Sequence, residues 1–272
     1  MTATVSRGLP NSIRSRSRDK RLTGFAWVPD YLSSVQLWLQ PEAAFVNGGA
    51  VANGDAVSTL TDRSPNAKAF TASSGQRPTW NGSDALLGGK ASLTFNGSSN
   101  RLKLSSSYLT GTSGLFWSVV HPTSFSDNPR IISSSDEGTT TSRLDISIKT
   151  SGNQIRLRQV DNGGTADDIK GDTSFTTDKT FIVIISSNGS AYSIRINGSD
   201  ETEAVSGGGN NGKWFGDTTL RDNVVLGALQ HTGIAQYFVG NIGEWGVCSA
   251  ENASHIDKLE RYLANRYRVV LS

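Results

Sequence analysis

The 272-residue chain has little of what most metal, redox and nucleophilic chemistry requires, with one cysteine, one methionine and three histidines. The single cysteine, Cys248, excludes a disulfide framework within the chain and a cysteine-rich metal site. His121, His231 and His255 lie far apart and lack the spacing of a catalytic zinc motif. No apolar run approaches the roughly 18 residues of a membrane-spanning helix. These absences argue against a metalloenzyme and against a membrane partner.

The net charge of +2 is unevenly distributed along the chain. Residues 1–21 carry six basic residues against one acidic residue, and they contain no apolar stretch typical of a secretory signal. We therefore expect residues 1–24 to form a basic N-terminal arm, which is either a solvated terminus or a segment that docks on an acidic surface. The candidate partner-binding residues of this arm are Arg14, Arg16, Arg18, Lys20 and Arg21.

The rest of the chain, residues 25–272, is predicted to form one domain. It is net acidic and shows no basic stripe with interleaved aromatic residues, so we expect no direct nucleic acid binding by this domain. Its 36% hydrophobic content reaches the ordinary range for folded proteins once its many glycines are counted.

Turn signals and short apolar runs predict that this domain is all-β. Eight Asn-Gly pairs occur, and Asn-Gly accepts the positive φ angles of tight hairpins. The predicted strands are Val35–Leu39, Ala91–Phe95, Arg101–Leu104, Leu115–His121, Arg130–Ser133, Arg143–Lys149, Gln154–Val160, Thr180–Ser186, Ala191–Ile196, Asn223–Leu229 and Tyr237–Val247. So many short strands without intervening helices indicate an antiparallel β-sandwich.

Alternation assigns faces to two of the strands. In the first, Ile155, Leu157 and Val160 are expected to face the core, while Arg156 and Arg158 face water. In the second, 191–196, apolar residues at 192, 194 and 196 alternate with Ser193 and Arg195, which indicates one buried face. The clearest hairpin joins 181–185 to 192–196 through the Asn-Gly pair at 188–189.

One helix is predicted, at the C-terminus. Ser249 is expected to cap it, and Ile256, Leu259, Leu263 and Tyr267 recur at helical spacing to form one apolar stripe.

Motifs for chemistry are weak throughout the chain. The glycines of 207–212 and Lys213 match phosphate-loop spacings, but no helix and no Ser or Thr follows them. There is no G-x-S-x-G motif, and Glu201 and Glu203 are the nearest approach to a carboxylate pair. We predict no catalytic residue and no cofactor, with calcium at the acidic loop 161–168 as an alternative to ordinary solvated carboxylates.

The aromatic residues divide into core and loop positions. Trp38, Phe95, Trp117 and Trp245 are predicted to be core residues, and Cys248 is expected to be a buried thiol. Trp214 follows a glycine-rich segment and is the candidate exposed platform for stacking a sugar ring.

A series of short motifs runs through the domain in order. It comprises Phe25–Pro29, Val35–Leu39, Asp62–Ala67, Arg77–Pro78, Ala91–Gly97, Phe116–Val120, Val225–Gly227 and Phe238–Glu244, followed by the C-terminal helix. This series resembles the laminin-G-like, or concanavalin A-like, jelly-roll family found in bacterial and phage proteins. The resemblance implies a two-sheet antiparallel jelly roll, a fold that supports many unrelated tasks. The family's hydrolases carry an E-x-D-x-x-E type strand that this chain lacks, which implies a non-enzymatic member and a structural Glu244.

Two functions are compatible with this resemblance. The first is a phage virion structural protein, either a capsid decoration protein or a tail or fibre component, anchored to other virion proteins by the basic arm. In that case the jelly roll would face outward, the protein would be located in the virion, and a homo-oligomer or larger assembly would be expected. The alternative is a carbohydrate-binding adhesin that recognises host surface glycans.

Overall fold

The computed structural model describes residues 27–272, in which the chain is almost entirely β-structure. The strands are β1 Val35–Leu39, β2 Ala44–Val46, β3 Gly49–Ala50, β4 Thr59–Thr61, β5 Ala69–Thr71, β6 Thr79–Asp84, β7 Lys90–Asn96, β8 Leu102–Leu104, β9 Gly114–Pro122, β10 Arg130–Ser135, β11 Arg143–Lys149, β12 Gln154–Val160, β13 Asp167–Ser174, β14 Phe181–Ser187, β15 Tyr192–Ile196, β16 Ser199–Asp200, β17 Ala204–Gly207, β18 Val224–Leu226, β19 Leu229–Gln230, β20 Ile234–Ala235 and β21 Val239–Cys248. The helix α1 is Ile256–Tyr267, and short 3-10 turns lie at Pro29–Tyr31, Pro41–Ala43, Ala85–Leu87, Phe215–Asp217 and Ala253–His255.

These strands form two large antiparallel sheets. Sheet A has the order β16-β15-β14-β9-β21-β7-β6, with β1 also paired to β21. Sheet B has the order β17-β13-β12-β11-β10-β18-β8-β5-β4-β2-β3, and β19 and β20 form a separate hairpin. The predicted all-β antiparallel sandwich with one C-terminal helix is confirmed.

Asn-Gly pairs make several of the turns, as predicted. The β14–β15 hairpin turns at 188–189, where Gly189 has φ +85°, and its register pairs Ile185 with Ile194. The pair Asn81-Gly82 is an exception, because it lies within β6, next to a shift in register against β7.

The main core lies between the two sheets. It contains the predicted core residues Phe95 and Trp245, together with Ile155 and Leu157 of β12. Val160 belongs to neither hydrophobic cluster, and its register partner is Arg143. Val160 is buried, but the alternation of a strand places it on the same face as Arg156 and Arg158, so the prediction holds for its burial and is wrong for its face.

A second hydrophobic cluster lies on the outer side of sheet A. Leu259, Leu263 and Tyr267 of α1 pack there against Trp38 and Trp117. Both faces of sheet A are therefore covered, which explains why β9 is a continuous buried run rather than an alternating one.

The start of α1 differs from the prediction. A 3-10 turn precedes the helix, which begins at Ile256, and Ser249 does not cap it. Instead, the Ser249 backbone N–H donates to the Ser34 carbonyl at 3.0 Å.

One buried carboxylate joins sheet A to the helix that covers it. Glu244 Oε1 accepts hydrogen bonds from the indole N–H groups of Trp38 at 2.8 Å and Trp117 at 3.2 Å. Its Oε2 accepts from Gln40 at 2.9 Å and from the Tyr267 hydroxyl at 3.2 Å. Burial raises the pKa of Glu244 above its ordinary value, opposed by the hydrogen bonds from Gln40, Trp117 and Trp38 and by the charge of Arg266. The structural role expected for Glu244 fits this geometry.

The outer face of sheet B has a different character. Only one helix of eight or more residues occurs in residues 27–272, and it packs on sheet A. No helix there is long and apolar enough to cross a membrane. The outward side chains of β10 to β13 are mostly polar or charged, and we call this surface the open face. Several of them, including Arg130, Asp145 and Ser147, are buried, whereas Arg158 is partly exposed.

We predict that Glu244→Ala lowers the free energy of unfolding by about 3–5 kcal/mol, since the substitution leaves several buried donors without an acceptor. Urea denaturation followed by tryptophan fluorescence measures this change. Asp257→Asn, at an exposed position of α1, is the control and should change stability by less than about 0.5 kcal/mol. Equal effects of the two substitutions would show that Glu244 does not hold the helix to the sheet.

Candidate functional site

The predicted site residues fall into two groups. Arg14, Arg16, Arg18, Lys20 and Arg21 lie outside the described residues, so their partner-binding role stays a prediction. Trp214 lies inside them, and the prediction that it is an exposed platform is wrong.

Trp214 is completely buried. Its indole N–H donates to the Cys248 carbonyl at 3.1 Å, and its ring meets Phe215 edge to face at 5.4 Å between centroids. Gly114 makes room for the ring, because a Cβ at that position would lie 1.8 Å from the indole nitrogen. The glycine-rich segment therefore allows the chain to turn inward, which places Trp214 in the core.

The acidic loop predicted as a calcium alternative is engaged in bonds within the protein. Asp161 accepts from the Thr219 backbone N–H and hydroxyl, both at 2.7 Å. Asp167 begins β13 and accepts from the Asn211 side chain at 2.8 Å. Within residues 27–272, no group of three or more His, Cys, Asp or Glu side chains is placed to hold a metal ion.

The remaining carboxylate pair, Glu201 and Glu203, accepts hydrogen bonds from the backbones of β13 and β15. Glu201 accepts from the backbone N–H groups of Asp172 at 2.9 Å and Thr173 at 2.6 Å. Glu203 accepts from the Ile194 backbone N–H at 2.9 Å. Both acids thus satisfy backbone donors.

Charged side chains concentrate instead on the open face of sheet B. In the register of the sheet, Ser147 of β11 lies between Arg130 of β10 and Arg156 of β12. One step along, Arg158 of β12 lies between Asp145 of β11 and Asp168 of β13. We call Arg130, Arg143, Arg156 and Arg158, with Asp145 and Asp168, the arginine cluster.

Most of the cluster is paired. Asp145 is completely buried, and its two oxygens lie 2.9 Å from Arg130 Nε and 3.2 Å from Arg143 Nε. Asp168 accepts two hydrogen bonds from Arg156, with Nε to Oδ1 at 2.7 Å. Burial lowers the pKa of Arg156, but the hydrogen bond and charge of Asp168 outweigh it, and the net shift is upward.

The pairing leaves hydrogen-bonding capacity unused. In residues 27–272, thirteen buried side-chain nitrogen or oxygen atoms have no hydrogen-bond partner, and six of them lie on the open face. They belong to Arg130, Arg143, Asp145, Ser147 and Arg158. The Nε–H groups of Arg130 and Arg143 are close to Asp145 but do not point at its oxygens. Four of the six atoms belong to the ion pairs of Asp145 with Arg130 and Arg143, which leaves Ser147 Oγ and Arg158 Nε without a polar partner in the described residues. Buried polar atoms without partners are uncommon in folded proteins, so this face is the candidate site.

Arg158 is the member of the cluster whose charge is least compensated. Its two cross-strand neighbours are both aspartates, but each aspartate is already paired with another arginine. Its buried Nε has no hydrogen-bond partner in the described part of the chain. Burial, followed by the charges of Arg143 and Arg156, lowers the pKa of Arg158 below its ordinary value.

A hairpin forms one wall beside the cluster. Ser133 on the open face donates to the Ala228 carbonyl at 2.8 Å, so the chain leading into β19 and β20 lies over β10. His231 lies at the tip of this hairpin, where burial and then the charges of Arg143 and Arg130 lower its pKa. The cluster therefore lies on paired strands, beside a hairpin that rises above the sheet. The paired strands hold the backbone of the cluster residues at fixed positions.

Two of these arginines, Arg156 and Arg158, are predicted to face water, but the sequence pattern alone does not indicate a site there. The signal was present, since Arg156 and Arg158 alternate on β12 while Arg143 and Asp145 alternate on β11. The predicted strands do not include β13, of which only the first two residues belong to the acidic loop 161–168.

Comparisons with known proteins agree on the fold. No family model and no curated protein matches the sequence. A solved CBM40 domain of the Ruminococcus gnavus IT-sialidase bound to α2,3 sialyllactose is similar, with 15% identity, 64% of this chain and 97% of that chain covered, and a TM-score of 0.51. Domain 4 of AbnA, an extracellular GH43 arabinanase of Geobacillus stearothermophilus in complex with arabinotriose, is similar over 86% of this chain and 98% of that chain, with 11% identity and a TM-score of 0.58. Trypanosoma rangeli sialidase matches over 86% of this chain and 33% of its own, with 12% identity and a TM-score of 0.55. These likenesses are consistent with a concanavalin A-like jelly roll.

We predict that Arg158→Gln leaves the free energy of unfolding unchanged or raises it by up to about 1 kcal/mol, because it removes a half-buried charge without a partner of its own. Arg156→Gln is the matched control on the same strand and face. It should lower stability by about 1–3 kcal/mol, since it breaks the double hydrogen bond to Asp168. Thermal and urea unfolding measure both variants. A loss at Arg158 equal to that at Arg156 would make Arg158 an ordinary structural residue.

Proposed function

We propose that the chain is a non-enzymatic glycan-binding module that holds its ligand on the open face of sheet B. The observation that carries this proposal is the arginine cluster, with Arg158 incompletely paired on the surface that no helix covers. Functional sites commonly retain polar groups that the protein itself leaves unsatisfied, because a ligand satisfies them.

The type of surface suits a sugar. Sugars offer hydroxyl groups as donors and acceptors, and the open face supplies partly exposed groups of both kinds, with Arg158 and Lys149 as donors and the Asp168 carboxylate as an acceptor. Strands β10 to β13 hold these groups at fixed positions, so little conformational entropy is lost when a ligand binds.

Two of the similar structures support the assignment. The Ruminococcus gnavus domain is bound to sialyllactose and the Geobacillus domain to arabinotriose, so two proteins of this architecture are glycan-bound. The fold alone does not define function, and the arginine cluster of this chain supplies the specific argument.

A non-enzymatic role is supported by the chemistry of the described residues. The carboxylates of Glu201, Glu203 and Glu244 are engaged with backbone or core donors. Asp145 is ion-paired with two arginines. Burial raises the pKa of Asp168, but the hydrogen bond and charge of Arg156 outweigh it and the net shift is downward, away from the protonated acid that glycoside hydrolysis needs.

We expect Arg158→Gln to weaken glycan binding by at least about tenfold, since one charge-assisted hydrogen bond contributes about 1.5–3 kcal/mol. A glycan array with neutral and acidic oligosaccharides, followed by calorimetry of the full chain with the best ligand, measures the effect. Arg261→Gln removes the same charge from an exposed position of α1, on the opposite side of the sandwich, and should bind as the unaltered protein does.

Two results would contradict the proposal. If the unaltered chain binds no glycan on the array, the function is wrong. If it binds but Arg158→Gln and Arg261→Gln behave alike, the glycan lies elsewhere on the molecule.

A virion setting for this module stays a prediction from the basic arm. If the arm anchors the protein to a particle, deletion of residues 1–21 should remove most copies from purified particles, because charge-assisted contacts of Arg14, Arg16 and Arg18 would be lost. Quantitative mass spectrometry of the particles measures the copy number. An unchanged copy number would eliminate the anchoring role and leave glycan binding unaffected.

A further inference from the structure

We propose that the open face recognises a carboxylate group of an acidic sugar, and that Arg158 is the residue that holds it. The inference rests on the proposed glycan-binding function and adds the chemical class of the ligand. The juxtaposition that carries it is an incompletely paired guanidinium between two aspartates that other arginines already occupy.

The net positive charge of the cluster favours an anionic ligand. Four guanidinium groups face two carboxylates, which leaves an excess of two positive charges on one patch of strand surface. Lys149 and Lys170 lie on the same face, at the register positions next to Ser147 and Arg156. Partly buried charges are costly unless an opposite charge lies nearby, so a neutral ligand would leave this cost in place.

The geometry favours a carboxylate among anions. The guanidinium group of an arginine is a planar fork whose parallel N–H groups match the two oxygens of a carboxylate. The pair formed by Arg156 and Asp168 shows this fork-to-fork contact on the same face, two residues from Arg158. A ligand carboxylate at Arg158 would repeat that arrangement.

The two aspartates limit where the anion can lie. Asp145 and Asp168 flank Arg158 across the strands, so a second anion in the plane of the sheet would approach like charges. Arg158 is partly exposed, so the anion would reach its guanidinium from the solvent side of the sheet. Arg143 lies next to Asp145 and adds a second positive charge to the same face.

The test compares each acidic oligosaccharide with its own neutral form. Sialyllactose and oligogalacturonate are offered to the full chain before and after chemical reduction of their carboxyl groups to alcohols. We expect the acidic forms to bind at least about tenfold more tightly, and the preference to shrink as sodium chloride increases. A carboxyl-reduced chondroitin sulfate, which keeps its sulfate groups, tests the alternative anion.

Variants then locate the preference. Arg158→Gln should bind the acidic and reduced forms equally, while Arg158→Lys should keep a smaller preference because it retains charge without the fork. Arg261→Gln should keep the full preference. Circular dichroism and the melting temperature of each variant confirm that it is folded.

The outcomes of these binding measurements separate the carboxylate assignment from glycan binding itself. Equal binding of the acidic and reduced forms by the unaltered chain would overturn the carboxylate assignment and leave glycan binding standing. Tight binding of the carboxyl-reduced sulfated chain would overturn it in favour of sulfate. Binding of none of these sugars, with no hit on the glycan array, would overturn both proposals.

Discussion

The architecture depends on burying both faces of sheet A, and Glu244 hydrogen-bonds the sheet to the helix that covers its outer face. A carboxylate with no exposed surface is tolerated only when donors surround it, and here they come from β1, β9 and α1. Because α1 occupies the outer side of sheet A, the opposite surface of the sandwich is the large β-surface available to a ligand. The position of the site thus follows from the position of the helix.

The arginines of the open face differ in how completely their charges are paired. Arg156 and its partner Asp168 are a complete unit, and Asp145 compensates two further arginines. Arg158 is left over, at a cost to the isolated domain. Proteins commonly retain such local conflicts where function requires them and compensate in the surrounding core. The large apolar core between the sheets provides that compensation here.

Most of the fold could be predicted from the sequence because its signals are local. The alternation of β12 and β15, the turn at 188–189 and the apolar stripe of α1 each depend on neighbouring residues. The candidate site could not, because it requires the register of β10 to β13, and register is a property of several strands together. The burial of Trp214 could not be predicted for a related reason, since the space for its ring is provided by Gly114, one hundred residues away in sequence.

The pairing of β10 to β13 also has a geometric meaning for any extended ligand. Neighbouring strands lie about 4.8 Å apart, so charged positions on adjacent strands recur at that interval across the sheet. An oligosaccharide lying perpendicular to the strands would cross the partly exposed Asp168 and Arg158 in succession and meet both signs of charge. One lying parallel to β12 would instead pass Arg156 and Arg158 in turn and meet charge of one sign. The orientation of a bound polysaccharide on the sheet therefore determines which pattern of its charged groups the surface can match.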